Sequence, residues 1–219
     1  MNTEVPFAII PVWKNVTPQL SAELVDLWDR SKAIPDADKA AVRASQAVCI
    51  ARDASGTICG VGTAVIRILP RLRQPMYYYR QFFAPEFRGQ KQAMPFLNRA
   101  RQVLQDYNAA LAKPESLGVL LELENPQLTT RYTLAFQPEA NSTFIGYSPR
   151  GLHLRVSYFD DARLLPPRTA GTPEAGLAST CVAIRRDTGA GVSVTPRAAA
   201  PSRPFPSGAG SSDTEPAGR

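Results

Sequence analysis

The chain has 219 residues, which allows one buried core of about 150 residues plus an extension rather than two full domains. Its 44% hydrophobic and 20% charged residues exclude a wholly disordered chain. The net charge of +6, carried mostly by arginine, favours partners with phosphate or carboxylate groups; no basic run, helix-turn-helix or aromatic RNA-binding strand accompanies it, so a nucleic-acid partner is not expected.

The first apolar stretch, residues 7–12, is broken by Pro11 and preceded by Glu4, unlike a signal peptide. No segment reaches the roughly 20 apolar residues that span a bilayer, so a cytoplasmic location without a membrane partner is expected. Cys49, Cys59 and Cys181 are odd in number and lack metal-ligand spacing, and His153 is the single histidine, so no metal site is expected. Cys49 and Cys59 flank a turn at Asp53–Gly56 and in one hairpin register would face each other; they read as reduced, small, buried side chains.

A first strand is expected over residues 8–12. Thr17-Pro18 then reads as an N-cap with proline at the first helical position, and the spacing of Leu20, Leu24, Leu27 and Trp28 predicts an amphipathic helix to about Lys32. Residues 36–45 form a second, shorter helix opened by acidic residues at its positive end. Residues 48–52 and 57–69, rich in β-branched side chains and separated by a turn ending in Gly56, predict a hairpin. A basic loop with Arg71 and Arg73 follows, then a strand over 76–83 containing Tyr77, Tyr78 and Tyr79. Phe96, Leu97, Ala100, Val103, Leu104 and Tyr107 predict a helix over 94–112. A buried strand is expected over 117–123, a helix over 126–136, and a second hairpin from 143–147 and 152–159. The order is that of a mixed sheet covered by helices. From about Pro167 the chain is dominated by Pro, Gly, Ala, Ser and Arg and cannot bury enough apolar surface to offset its ordering entropy, so 167–219 is expected to be a disordered tail on a domain of residues 1–166.

The segment Phe83-Ala84-Pro85-Glu86-Phe87-Arg88-Gly89-Gln90, continuing to Leu97, resembles the acetyl-CoA motif of the GNAT N-acetyltransferase superfamily, in which a strand enters a helix through a glycine-containing loop. The resemblance implies a GNAT-like fold: a mixed, mostly antiparallel central sheet flanked by helices. It also implies acetyl-CoA as co-substrate, with the pantetheine arm on the backbone of Gln81, Phe82 and Phe83. The pyrophosphate would lie at Arg88, Gly89, Gln90, Lys91, Gln92 and Ala93, at a helix N-terminus whose N–H groups and dipole favour anions. Two positions depart from the family pattern. Lys91 stands where glycine is usual, and either obstructs the close approach of backbone to phosphate or adds a cation there. Pro95 is tolerated only in the first helical turn.

A second segment, Glu124-Asn125-Pro126 followed by Tyr132 and Leu134-Ala135-Phe136, resembles the family's strand-Asn-helix-Tyr segment, with one residue missing and Ala135 in place of glycine. It implies Asn125 in the cofactor site and Tyr132 as general acid for the departing thiolate; a tyrosine packed under the sheet is the alternative. Direct transfer also needs a base for the amine. Glu122 and Glu124, two residues apart on one strand face, are candidates, with solvated carboxylates as the alternative.

Two functions follow from the resemblance: acetyl transfer from acetyl-CoA to an amine, or a catalytically degenerate GNAT-like module that binds partners through its basic surface. Arg71, Arg73, Arg150 and Arg155 are candidates to attract an acidic acceptor, whose identity no motif gives. A homodimer is left open.

Overall fold

Eight strands among the described residues, 7–88 and 92–167 of the computed structural model, hydrogen-bond into one sheet. They are β1 (Ala8–Pro11), β2 (Ala47–Arg52), β3 (Ile58–Leu69), β4 (Gln74–Phe83), β5 (Gly118–Glu122), β6 (Phe136–Gln137), β7 (Ser142–Tyr147) and β8 (His153–Tyr158). Their spatial order is β1-β2-β3-β4-β5-β8-β7-β6, with β4 and β5 parallel and every other neighbouring pair antiparallel. The helices are α1 (Pro18–Arg30), α2 (Ala37–Ala44), α3 (Ala93–Ala110) and α4 (Pro126–Arg131). The fold class is the expected one, a mixed and mostly antiparallel sheet flanked by helices.

Local chemistry sets the helix starts. The Thr17 hydroxyl accepts from the Leu20 N–H at 3.1 Å, and the Asp36 carboxylate accepts from the Lys39 N–H at 3.0 Å, so α1 and α2 begin at side-chain caps worth about 1 kcal/mol each. Leu20, Leu24, Leu27 and Trp28 are buried on one stripe of α1, each contributing about 1.5–3 kcal/mol of burial. The α3 helix begins with Ala93, so Pro95 falls in the first turn, where its missing N–H removes no intrahelical bond.

The helices occupy opposite faces. With α1 and α2, Ile50, Ile58, Val61 and Phe82 build one core. On the other face, Phe96, Ala100 and Leu104 of α3 pack on Tyr77, Tyr79, Phe83, Val119 and Leu121. Gly60 and Gly62 of β3 make room for these rings: a methyl group on Gly60 would sit 2.5 Å from the Phe83 ring, and one on Gly62 would collide with the Tyr79 hydroxyl.

Several expectations are corrected. The helix expected over 126–136 ends at Arg131, because Tyr132 leaves helical geometry (φ −97°, ψ 71°) and the carbonyls beyond it are held by Arg155; Phe136 instead starts β6. Residues 74 and 75 belong to β4, with Gln74 opposite Leu69 and the turn closed by Arg73 at φ 50°. Cys49 lies opposite Gly62, and a bulge near Cys59 breaks the ladder, so the two thiols do not face each other. Both are free and buried, and desolvation pushes Cys49 up to about 12 and Cys59 to about 11. Among the described residues no group of metal-ligating side chains is found, and no helix is long and apolar enough to cross a membrane. Cys181, the loop residues Gly89, Gln90 and Lys91, and nearly all of the expected tail lie outside the described residues.

Candidate functional site

The site arises where two neighbouring strands part. The parallel ladder joins Tyr77 to Val119, Tyr78 to Leu120 and Tyr79 to Leu121, and there it stops. The β4 strand continues to Phe83 paired to β3 alone. Because the Ala84 N–H bonds the Cys59 carbonyl on the β3 side, strand alternation turns the N–H and C=O of Gln81 and Phe83 the other way, into the gap that β5 leaves. The Phe83 carbonyl accepts from Arg88 Nε at 3.0 Å, while the guanidinium of Arg88 lies 5.4 Å from the Phe82 ring centroid.

A pocket of about 230 Å³ fills this gap. Its wall on the α3 side includes Tyr79, Gln81, Ala93, Met94 and Leu97, and its opposite end includes Arg43, Arg80, Glu122 and Glu124. The Gln81 side chain ties the strand to the helix: its Nε2 donates to the Ala93 carbonyl at 3.2 Å and its Oε1 accepts from the Tyr79 hydroxyl at 3.2 Å. Asn125 also lines the pocket while capping α4, its side-chain oxygen accepting from the Gln127 N–H at 2.9 Å.

Tyr132, Glu122, Glu124, Gln81, Ala93 and Asn125 are thus brought to one cavity. Phe82 and Phe83 turn their rings to the two cores on opposite faces; Phe83 reaches the gap through its backbone, whereas the backbone of Phe82 faces β3. Gln92 is buried at the start of α3. Tyr132 is 7% exposed, and burial raises its phenol above the ordinary value, so the hydroxyl stays protonated at neutral pH.

The two carboxylates differ. Glu122 has a side chain only 9% exposed; its carboxylate accepts from the Tyr78 hydroxyl at 2.5 Å and from Arg150 at 2.7 Å. Burial alone would raise its pKa, but the bonds from Arg150, Tyr78 and Ser148 outweigh it and hold the carboxyl at about 2. Glu124 is half exposed, 2.8 Å from Arg150 and 3.8 Å from Arg80. Arg80 closes the ring by donating to the Tyr78 hydroxyl from Nε at 3.1 Å and from Nη2 at 2.9 Å.

Arg155 is the residue that sequence reasoning misjudged. Named as a candidate to attract an acidic acceptor, it is 2% exposed, lines the pocket and spends its donors on backbone carbonyls. It has no carboxylate partner among the described residues; Nη2 donates to the carbonyls of Leu134 at 2.6 Å, Ala135 at 3.2 Å and Ser142 at 3.4 Å, Nη1 to that of Tyr132 at 3.4 Å, and Nε to the Ser142 hydroxyl at 3.3 Å. Desolvation lowers its pKa from the ordinary guanidinium value. Arg71 lies against Gly146 and Arg73 in a turn, both outside the pocket, whereas Arg43 lines it and carried no signal in the sequence.

The chain matches no protein-family model and no curated protein sequence. Solved structures similar to it include an acetyltransferase of the GNAT family from Streptococcus pneumoniae, 14% identical, with 70% of this chain and 99% of that one covered and a TM-score of 0.48. A spermidine N-acetyltransferase from Vibrio cholerae in complex with CoA and spermine is 15% identical, with 70% and 95% covered and a TM-score of 0.43. A GNAT-family acetyltransferase from Listeria monocytogenes is 14% identical, with 70% and 95% covered and a TM-score of 0.41.

Proposed function

We propose that the chain is a GNAT-type N-acetyltransferase that moves an acetyl group from acetyl-CoA to an amine by direct attack. The observation that carries this reading is the pocket in the β4–β5 gap, which connects the start of α3 on one face of the sheet with a charged rim on the other. Bound acetyl-CoA supplies the acyl thioester. The backbone of Gln81 and Phe83 offers donors and an acceptor to an extended amide-containing arm, as an added strand would. The N–H groups of Ala93 and Met94, in the first turn of α3, favour a pyrophosphate, with Arg88, Gly89, Gln90, Lys91 and Gln92 completing that cradle and Asn125 at the opposite lip.

In this reading the acceptor nitrogen enters from the rim and attacks the thioester carbon; a C–N bond forms and the C–S bond breaks. Glu124, half exposed, takes the ammonium proton through water. Its pairing with Arg150 is screened by solvent and readily exchanged. Glu122, held at about 2, is too weak a base and instead fixes Tyr78 and Arg150. Tyr132, kept protonated by burial, gives its proton to the departing sulfur. Thiol-release assays over an amine panel test the reading: turnover is expected, and Tyr132→Phe should lower kcat by about 10²-fold with unchanged acetyl-CoA affinity. Failure to release thiol with every amine would sink the catalytic claim.

One observation favours a second reading, a catalytically degenerate acetyl-CoA-binding module: both rim carboxylates are engaged by Arg150. A raised melting temperature with acetyl-CoA but no thiol release would select it.

A further inference from the structure

On the reading of this pocket as an acetyltransferase site, we infer that its acceptor is a small primary amine that also carries an anionic group, a carboxylate or phosphate, received by Arg43 and Arg80. The charges at the rim do not balance without such a group. Glu122 and Glu124 are already met by Arg150 at 2.7 and 2.8 Å before either pocket-lining arginine is counted. Arg80 approaches Glu124 only to 3.8 Å and directs its Nε and one terminal nitrogen to the Tyr78 hydroxyl.

Arg43 is the more telling side chain. It is partly buried at the end of α2 and forms no ion pair among the described residues. Its Nε donates to the Thr63 hydroxyl at 3.3 Å and its guanidinium sits 5.7 Å from the Trp28 ring centroid. Those contacts aim and steady the head while leaving its terminal nitrogens without a hydrogen bond among the described residues. Burial, and then the neighbouring charge of Arg80, make the cationic form of Arg43 less favourable than in water. An anion received between them would relieve both costs and accept paired donors from a planar fork. A neutral amine provides no such relief, and a polycation would be repelled. The pocket, about 230 Å³, is shared with the thioester arm, so the acceptor it admits is small.

The test is thiol release with matched amines: amino acids against their C-terminal amides, O-phosphoethanolamine against ethanolamine, and spermidine as the polycation. The anionic member of at least one pair should show a kcat/KM about 10- to 100-fold above its neutral partner, as expected for hydrogen bonds to a charged group. The pair that responds distinguishes carboxylate from phosphate. Arg43→Gln should reduce that ratio about tenfold, Arg43→Lys, which keeps the charge but not the fork, should retain only part of it, and calorimetric acetyl-CoA affinity should be unchanged in both, which also shows that they fold. Equal rates within every pair, faster turnover of spermidine, or an unchanged ratio in Arg43→Gln would overturn the inference while leaving the acetyltransferase reading intact. If the wild type neither binds acetyl-CoA nor releases thiol, that reading falls instead. Thermal shifts with the same anionic amines then still report on Arg43, supporting the anion site if they vanish in Arg43→Gln and overturning it if none occurs in the wild type.

Discussion

The Glu122 carboxyl, held at about 2 against an ordinary 4.5, ties stability to pH. A carboxyl depressed in the folded state contributes fully above its unfolded value and loses that contribution as pH falls from about 4.5 toward 2. With allowance for the solvent around the exposed Arg150, the effect is on the order of 1–2 kcal/mol. Urea unfolding at pH 7 and pH 3 should show the loss in the wild type and a smaller one in Glu122→Gln; identical acid sensitivity would show that the carboxyl is not depressed. Arg155 calls for a different experiment. Arg155→Met leaves the carbonyl of Leu134 without its donor and removes one of the two donors to that of Ala135, which keeps the Phe144 N–H, and should cost about 2–4 kcal/mol in unfolding free energy. If it also aims the Tyr132 segment, kcat should fall further than acetyl-CoA affinity. Tyr132, Glu122 and Glu124 were legible in the sequence because a local motif and strand alternation name them. Arg43 and Arg155 were not, since what makes each of them notable is a neighbour far along the chain: Thr63 for Arg43, and the carbonyls of 134, 135 and 142 for Arg155.

At the scale of elements, α3 and β3 each carry a test. Pro95 supplies no N–H in the first turn of α3, so Pro95→Ala adds a donor where the proposal puts phosphate. Acetyl-CoA affinity measured by calorimetry should rise severalfold, with a stability loss up to about 1 kcal/mol from the freer unfolded chain; unchanged affinity would move the phosphates elsewhere. Gly62→Ala would push Tyr79 from its seat on β3 and so disturb Gln81 and the pocket wall. A loss of about 1–3 kcal/mol is expected by denaturant unfolding. Capped helices and hairpins with clear turn residues could be read directly: Thr17, Asp36 and Gly56 mark α1, α2 and the β2–β3 turn. The end of α4 could not, because Leu134 and Phe136 continue an apolar pattern that Arg155 overrides through tertiary bonds.

For the molecule as a whole, the order of elements was readable from the sequence and the fold class followed from it, whereas the neighbours of the later strands did not. Placing β8 between β5 and β7 depends on contacts between distant segments, and it is this placement that buries Arg155 beside the pocket. Leu165 belongs with the core: Gln74 donates to its carbonyl at 2.8 Å and accepts from its N–H at 3.0 Å. Truncation after Pro167 is therefore expected to leave the melting temperature unchanged, and truncation after Asp161 to lower it; equal loss in both would show that the later residues support the core. The central claim, that the β4–β5 gap receives acetyl-CoA, is tested most directly by calorimetric titration of acetyl-CoA into the full-length chain. Saturable one-to-one binding in the micromolar range is the predicted result, and no saturable binding would contradict it.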